Sequence, residues 1–371
     1  MALKFMLFVE SVRQEVKVYI LMTHNAVAIH QRNDQVLDIL HKQKYHIVGS
    51  HSAVKKCYWI HKSLTEKMFC YKAKFYGIES HRCIQFSPAV LWCWNYCLHC
   101  WRYRPSSDHG FRSIEAVDDP RFIAEMVVKE HKRTVSGYKK YPNVDRKMYE
   151  ESLNPRHVAI SLTGEPTLYP RLDELIEEFH RMNLTTFLVT RGIRPEILAN
   201  LSKEPTQLYV SLEAFDEDSY RYFNNPVYPN LWKRTLETLE ILPSFSSPTV
   251  VRLTLIRSFN MNLKAVSEWV KLLKIAEPTF IEVKAYMHIG TSILRLSRDD
   301  MPSHREVREI AIEIANGLGY NIVSESVPSR VVLLSRLDKP VIRYGNPPIS
   351  WYDKDLLDEY SGEYGILDDF I

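Results

Sequence analysis

The sequence predicts an α/β fold whose core is an open or closed (β/α) barrel. Three observations carry this expectation. From Val158 onward, apolar runs of strand length alternate with amphipathic stretches of helix length, the rhythm of a parallel sheet with helical crossovers. The loops Cys93–Cys100 and Gly164–Pro166 each follow a predicted strand, and barrel chemistry gathers at the carboxyl ends of strands. All six cysteines fall between Cys57 and Cys100, ahead of the alternation or at its start.

In order, residues 1–33 carry no chemical signature and read as an N-terminal extension. The pattern Val36-Leu-Asp-Ile-Leu-His-Lys42 suggests a short helix, and a basic, histidine-containing stretch, Tyr45–Lys56, leads into the cysteine region. Phe86–Trp92 reads as a strand ending just before Cys93. Val158–Leu162 is a buried strand, Thr163–Thr167 a turn and Leu172–Met182 an amphipathic helix. Thr185–Thr190 is the next strand and Arg194–Leu201 a short helix. Gln207–Glu213 is a strand, followed by helical stretches at Glu217–Phe223 and Trp232–Leu242. Thr249–Ile256 and Phe280–Tyr286 are strands with the helix Leu263–Ile275 between them. A last helix, Ser303–Gly317, leads to Tyr320–Ser324 and Val331–Leu334. Beyond residue 337 the chain is interrupted by proline and then acidic, which suits a surface tail.

Composition narrows the function classes. An apolar fraction of 45% and a charged fraction of 25% are those of a globular chain. A formal net charge of +3 is too small to imply nucleic-acid binding by itself, so such binding would need a local basic patch. The apolar run Met1–Met22 is broken by Glu10, Arg13, Glu15 and Lys17 and lacks a small-residue cleavage site, so no membrane span or signal peptide is expected. This places the protein in the cytoplasm, where clustered thiols bind metal more often than they pair as disulfides. There is no internal repeat, Walker A sequence or GxGxxG.

The cysteines form two triplets, CX12CX12C (Cys57, Cys70, Cys83) and CX3CX2C (Cys93, Cys97, Cys100). Three thiolates can hold three corners of a cubane iron–sulfur cluster and leave the fourth iron open to a substrate. Zinc is the alternative; a structural zinc site takes four ligands, and His99 or His81 could supply the fourth.

CX3CX2C after a strand and ahead of a (β/α) array resembles the signature loop of the radical S-adenosylmethionine (SAM) superfamily. From about Val36 to Ala311 the chain more narrowly resembles the 4-demethylwyosine synthases. The residues that carry this are Tyr45–Lys55, Cys70–Ile78, Ser80-His-Arg-Cys83, Cys100-Trp-Arg102, Leu162-Thr-Gly-Glu-Pro-Thr-Leu-Tyr-Pro170, Tyr209-Val-Ser-Leu-Glu213, Val283-Lys-Ala-Tyr-Met287 and Met301-Pro-Ser-His304. The resemblance implies a partial (β/α)6 TIM-like barrel over residues 85–336, preceded by a cluster-binding segment over 34–84 and followed by the tail 337–371. It implies a carbon–carbon lyase that joins two carbons of pyruvate to N1-methylguanosine beside the anticodon of tRNA-Phe. Cys93, Cys97 and Cys100 would hold the [4Fe–4S] cluster that cleaves SAM to a 5′-deoxyadenosyl radical, and Cys57, Cys70 and Cys83 a second [4Fe–4S] cluster. Lys72 would form the pyruvate Schiff base, with Lys74 as the fallback. Gly164 and Glu165 of the GEP element, Thr190, Ser211 and Glu213 would contact SAM.

An amine attacks a ketone only when neutral, and nearby positive charge lowers its pKa. Lys74 and Arg82 could supply that charge, while cluster thiolates would oppose it. Three features depart from the family pattern: His99 where an aromatic is usual, Thr190-Arg-Gly192 for Thr-Asn-Gly, and the drifted His288–Ile293. No flavodoxin-like domain precedes the cysteines, so a separate flavodoxin- or ferredoxin-like donor is expected. For tRNA, Lys55, Lys56, Lys62, Lys67, Arg102 and Arg104 could neutralise phosphates, and Trp59, Trp94 or Trp101 could stack on a base. Two rival readings stand beside this one. The first is a radical SAM enzyme on another substrate with an auxiliary electron-transfer cluster. The second, of a different class, is a zinc-stabilised RNA-binding protein.

Overall fold

The computed structural model describes residues 36–103, 114, 116–337 and 344–345. The N-terminal extension, Arg104 and almost all of the acidic tail lie outside the described residues. The chain divides into two compact units, Met1–Tyr45 and His46–Ile371. In the first, residues 36–42 form the helix expected there.

The second unit is built on one sheet. It opens with a hairpin, β1 (His46–Val48) and β2 (Ser52–Val54). Six parallel strands follow in chain order: β3 (Cys83–Ser87), β4 (His157–Ile160), β5 (Thr185–Thr190), β6 (Gln207–Ser211), β7 (Thr249–Leu255) and β8 (Phe280–Ala285). β9 (Asn321–Ser326) and β10 (Val331–Ser335) close the far edge, with β10 antiparallel to both β8 and β9. The order β1-β2-β3-β4-β5-β6-β7-β8-β10-β9 never brings β3 to β8. The barrel is therefore partial.

The parallel strands read as apolar runs because both their faces are covered. Val158, Ile160, Leu208, Val210, Val251 and Ile281 face outward, against the crossover helices α5 (Leu172–Arg181), α8 (Leu231–Ile241), α9 (Leu263–Ala276) and α10 (His304–Leu318). Phe187, Tyr209, Val250, Phe280, Val331 and Leu333 alternate with them and face inward, where they meet Tyr71, Phe75 and Tyr76. Those three belong to the short helix Tyr71–Tyr76. Its inward partners stand near the amino ends of the strands, so this helix plugs that end of the barrel.

The strand before Cys93 is shifted from the sequence expectation. Pro88 stops the ladder after Ser87, whose hydroxyl bonds the Thr163 carbonyl (2.5 Å) and accepts from the Ala89 N–H (3.1 Å). Ala89–Trp92 is thus an apolar loop, and the strand begins earlier, at Cys83. The sequence reading also left four helices unassigned: α1 (Tyr58–Glu66), α2 (Tyr71–Tyr76, the plug), α3 (Pro120–Ser136) and α4 (Arg146–Ser152). The start of α3 carried a legible signal in Asp119-Pro120, since Asp119 caps the N–H groups of Arg121 and Phe122 ahead of a proline in the first turn.

Candidate active site

At the carboxyl rim, β4 turns sharply into Gly164-Glu165-Pro166. Gly164 has φ +72°, and a Cβ there would lie 1.8 Å from the Ala89 carbonyl oxygen, so only glycine fits. Beside it opens a cleft of about 100 Å³ lined by Ser87, Ser161, Gly164, Glu165, Thr190, Arg191 and Ser211, among others. The buried Glu165 carboxylate accepts from Thr167 Oγ1 (2.7 Å), Thr190 Oγ1 (2.5 Å) and the Arg191 N–H (2.8 Å). Its chemistry here is to lock the end of β5 onto the β4 turn. Glu213 does not line the cleft. It is buried, ion-paired with Arg191 and 3.3 Å from His99 Nε2. Burial alone would raise its pKa, but the Arg191 cation beside it holds it down to about 2.

Cys93, Cys97 and Cys100 occupy the loop after β3, at the same rim. Burial pushes the Cys97 thiol up to about 12 against the pull of the Arg191 cation, with Cys93 and Cys100 adding to the rise. His99 stacks on Phe223 with ring centroids 5.0 Å apart and planes 9° from parallel, and its Nε2 accepts from Arg191 Nη2 at 2.9 Å. It is thereby engaged by a ring and a cation.

The other triplet sits at the inner, amino-terminal side. Cys57 and Cys70 stand at the N-cap positions of α1 and α2, and Cys83 opens β3. Helix amino termini favour thiolates. Burial raises all three thiol pKa values, and Cys57 raises Cys70 and Cys83 further. Among the described residues no three His, Cys, Asp or Glu side chains converge tightly enough for one metal ion. Three thiols near enough to sense one another fit three corners of a cubane cluster.

Lys72 projects from α2 into the lumen. Its Nζ lies 4.2 Å from the Tyr209 ring centroid and 5.6 Å from that of Phe187. Burial lowers its pKa, Arg252 lowers it further, and Glu282, Cys70 and Cys83 oppose. The charge acting on it therefore comes from β7, not from Lys74, which is exposed, or Arg82, which is bonded to Glu79 and the Asn154 carbonyl.

The basic residues expected to meet tRNA are dispersed. Arg102 is buried with its guanidinium 3.7 Å from the Trp101 ring centroid, Lys56 bonds Tyr138 and Lys62 bonds Glu66, whereas Lys67 is exposed. Burial and then Arg102 lower Lys55 to about 8. No helix among the described residues is long and apolar enough to cross a membrane.

Residues 88–270 match the family described as the Radical SAM superfamily, and residues 275–336 that described as Wyosine base formation. A Pyrococcus horikoshii protein named S-adenosyl-L-methionine-dependent tRNA 4-demethylwyosine synthase is 48% identical over 82% of this chain and 89% of its own. This chain belongs to the tRNA 4-demethylwyosine synthase family. A Methanocaldococcus jannaschii synthase of the same name is 42% identical over 83% of this chain and 98% of its own. A solved structure described as TYW1 with a lysine-pyruvate adduct bound aligns with a TM-score of 0.73 at 41% identity, covering 83% of this chain and 98% of that one. As a radical SAM 4-demethylwyosine synthase family member, the chain is a tRNA-modifying enzyme of wybutosine biosynthesis, and membership implies SAM and a [4Fe–4S] cluster.

The synthase lumen holds three charged residues that the sequence reading did not single out. Arg252 Nε donates to Glu282 Oε2 at 2.8 Å, and Glu282 also accepts from the Tyr71 and Tyr76 hydroxyls, each at 2.9 Å. Lys284 follows Glu282 on the same face of β8 and, with burial and Arg252 both lowering it, has a pKa of about 8. Charged residues inside apolar strands, as in Thr249-Val-Val-Arg-Leu and Phe280-Ile-Glu-Val-Lys, were the available signal.

Proposed function

We propose that this synthase condenses N1-methylguanosine of tRNA-Phe with two carbons of pyruvate to form 4-demethylwyosine, by way of a Schiff base at Lys72. The observation that carries the reading is the position of Lys72. Its half-buried side chain sets the amine over the Tyr209 and Phe187 rings, on the helix whose N-cap position is Cys70. A relative of high coverage holds a lysine–pyruvate adduct. Burial and Arg252 favour the neutral amine, which attacks the ketone carbon and expels water.

On this reading Cys93, Cys97 and Cys100 hold the cluster next to SAM in the rim cleft, with Gly164, Thr190 and Ser211 beside the cofactor. Glu165 and Glu213 act behind them, the first fixing Thr190 and the second fixing Arg191. Cys57, Cys70 and Cys83 hold a second [4Fe–4S] cluster in the lumen. When bound, the first cluster and SAM would supply reductive radical chemistry, with electrons from a separate flavodoxin- or ferredoxin-like donor in the cytoplasm. Lys72 retains the two-carbon unit while the C1–C2 bond of pyruvate is broken.

Borohydride trapping with labelled pyruvate tests this. The expected result is one labelled peptide carrying Lys72. No adduct would favour a radical SAM enzyme on another substrate, and label elsewhere would remove Lys72 from the mechanism.

A further inference from the structure

Beside Lys72, Arg252 and Lys284 bring two basic side chains to the lumen wall, and the carboxylate among them is Glu282. That carboxylate is already bonded to the Arg252 guanidinium and to two tyrosine hydroxyls. Lys284 is left differently placed. Its Nζ donates to the Ser329 carbonyl at 2.7 Å and lies 4.9 Å from the Tyr71 ring centroid, and among the described residues it makes no ion pair. A half-buried ammonium that makes no ion pair is costly, and a neutral carbonyl offsets only part of the loss.

Strand register fixes where that charge stands. β7 and β8 pair Arg252 with Glu282 and Thr254 with Lys284. Lys284 is therefore one inward-facing step nearer the carboxyl rim than Glu282. Ser211, which lines the rim cleft, pairs with Arg252 on the other side. Lys284 thus stands on the lumen wall one step above the level of Ser211, Arg252 and Glu282, with the Tyr71 ring of the plug helix against it. A guest held there by its ketone carbon at Lys72 has a cation waiting for an anionic group toward the rim.

We propose that Lys284 is a specificity-determining residue that binds the carboxylate of the 2-oxo acid held at Lys72. The inference rests on the Schiff-base reading above and adds to it the group that selects an acid over a neutral ketone. A charge-assisted contact of an ammonium with a carboxylate in a desolvated chamber is among the stronger single polar interactions.

The test uses the anaerobically prepared holoenzyme and borohydride trapping across a range of pyruvate concentrations, with methyl pyruvate as the neutral comparison. The wild type should label at Lys72 and favour pyruvate. Lys284→Met should need roughly 10- to 100-fold more pyruvate for half-maximal labelling, the range for losing a hydrogen bond to a charged group. It should also stop distinguishing pyruvate from its methyl ester, whereas Lys284→Arg, which keeps the charge, stays close to wild type. An unchanged concentration dependence in Lys284→Met overturns the inference, as does an equal loss in Lys284→Arg. Label on Lys284 itself overturns it too, by making that residue the nucleophile. Absence of any adduct in the wild type removes the Schiff-base reading, and this inference with it.

Discussion

Lys72 Nζ stands 4.2 Å from the centroid of the Tyr209 ring, which rises from β6 to meet it. The ring face attracts the cation, while the Tyr209 hydroxyl is buried with no hydrogen-bond partner among the described residues. The two parts of this side chain therefore act in opposite directions. Tyr209→Phe keeps the ring and removes an orphaned hydroxyl, so stability should stay level or rise by about 1 kcal/mol. Tyr209→Leu loses the ring and should lower it by about 1–3 kcal/mol. Urea unfolding of the two variants distinguishes these outcomes; a clear loss in Tyr209→Phe would show that the hydroxyl has a partner.

The two cysteine triplets should separate experimentally. Cys93→Ala is expected to abolish SAM cleavage. Cys70→Ala should spare uncoupled cleavage and lose pyruvate trapping, with each variant keeping roughly half the iron of the wild type. Iron and sulfide analysis after anaerobic purification provides the count. Stoichiometric zinc with little iron would contradict both assignments.

Glu213 stabilises the rim through Arg191, and its effect has a defined pH window. Its folded pKa of about 2 lies below the ordinary 4.5, so its stabilisation is complete above pH 4.5 and is lost as pH falls toward 2. Glu213→Gln leaves the buried Arg191 cation uncompensated and should cost about 3–5 kcal/mol near neutrality. That gap should narrow between pH 4.5 and 3, as measured by denaturant titration.

His157 works in a milder range. It is buried at the start of β4, between the Glu79 N–H (3.2 Å) and Thr185 Oγ1 (2.7 Å). Burial lowers its pKa from 6.5 to about 3. Below pH 6.5 the unfolded chain binds a proton that the folded chain refuses, so stability falls as pH falls, by about 1.4 kcal/mol per unit. His157→Gln should reduce the slope of stability against pH between 6.5 and 5 by that amount. An unaltered slope would mean that this imidazole titrates normally in the fold.

Gly164→Ala should cripple the rim cleft. The added methyl meets backbone oxygen of Ala89 rather than a side chain that can move, at a position whose φ is already in the left-handed region. SAM affinity, measured by calorimetry, should fall more than tenfold, a free-energy loss above about 1.4 kcal/mol. Unchanged affinity would dissociate this turn from cofactor binding.

Much of this arrangement was legible in the order of the residues. β4 to β8 declare themselves as apolar runs because each is covered on both faces, and the cysteine triplets and GEP turn are local patterns. The first strand of the barrel was misplaced because Ala89–Trp92 is as apolar as a strand, and only Pro88 and the Ser87 hydroxyl reveal that it is loop. The lumen charges were hidden for another reason. Arg252, Glu282 and Tyr71 acquire meaning only when two strands and a helix far apart in sequence converge. The same holds for His99 and Arg191, two departures from the family pattern that prove to be hydrogen-bonded to each other.

The plug helix α2 has a kinetic consequence. With Tyr71, Phe75 and Tyr76 packed into the amino-terminal end of the barrel, the carboxyl rim is the end left for a guest of Lys72 on the proposed reading. On the proposed reading that same opening must receive the anticodon loop, a far bulkier visitor. Addition is then ordered: the small acid goes in before the nucleic acid arrives, and the tRNA acts as the stopper that retains it. Excess tRNA added first should slow pyruvate trapping, whereas tRNA added after the adduct has formed should leave it in place.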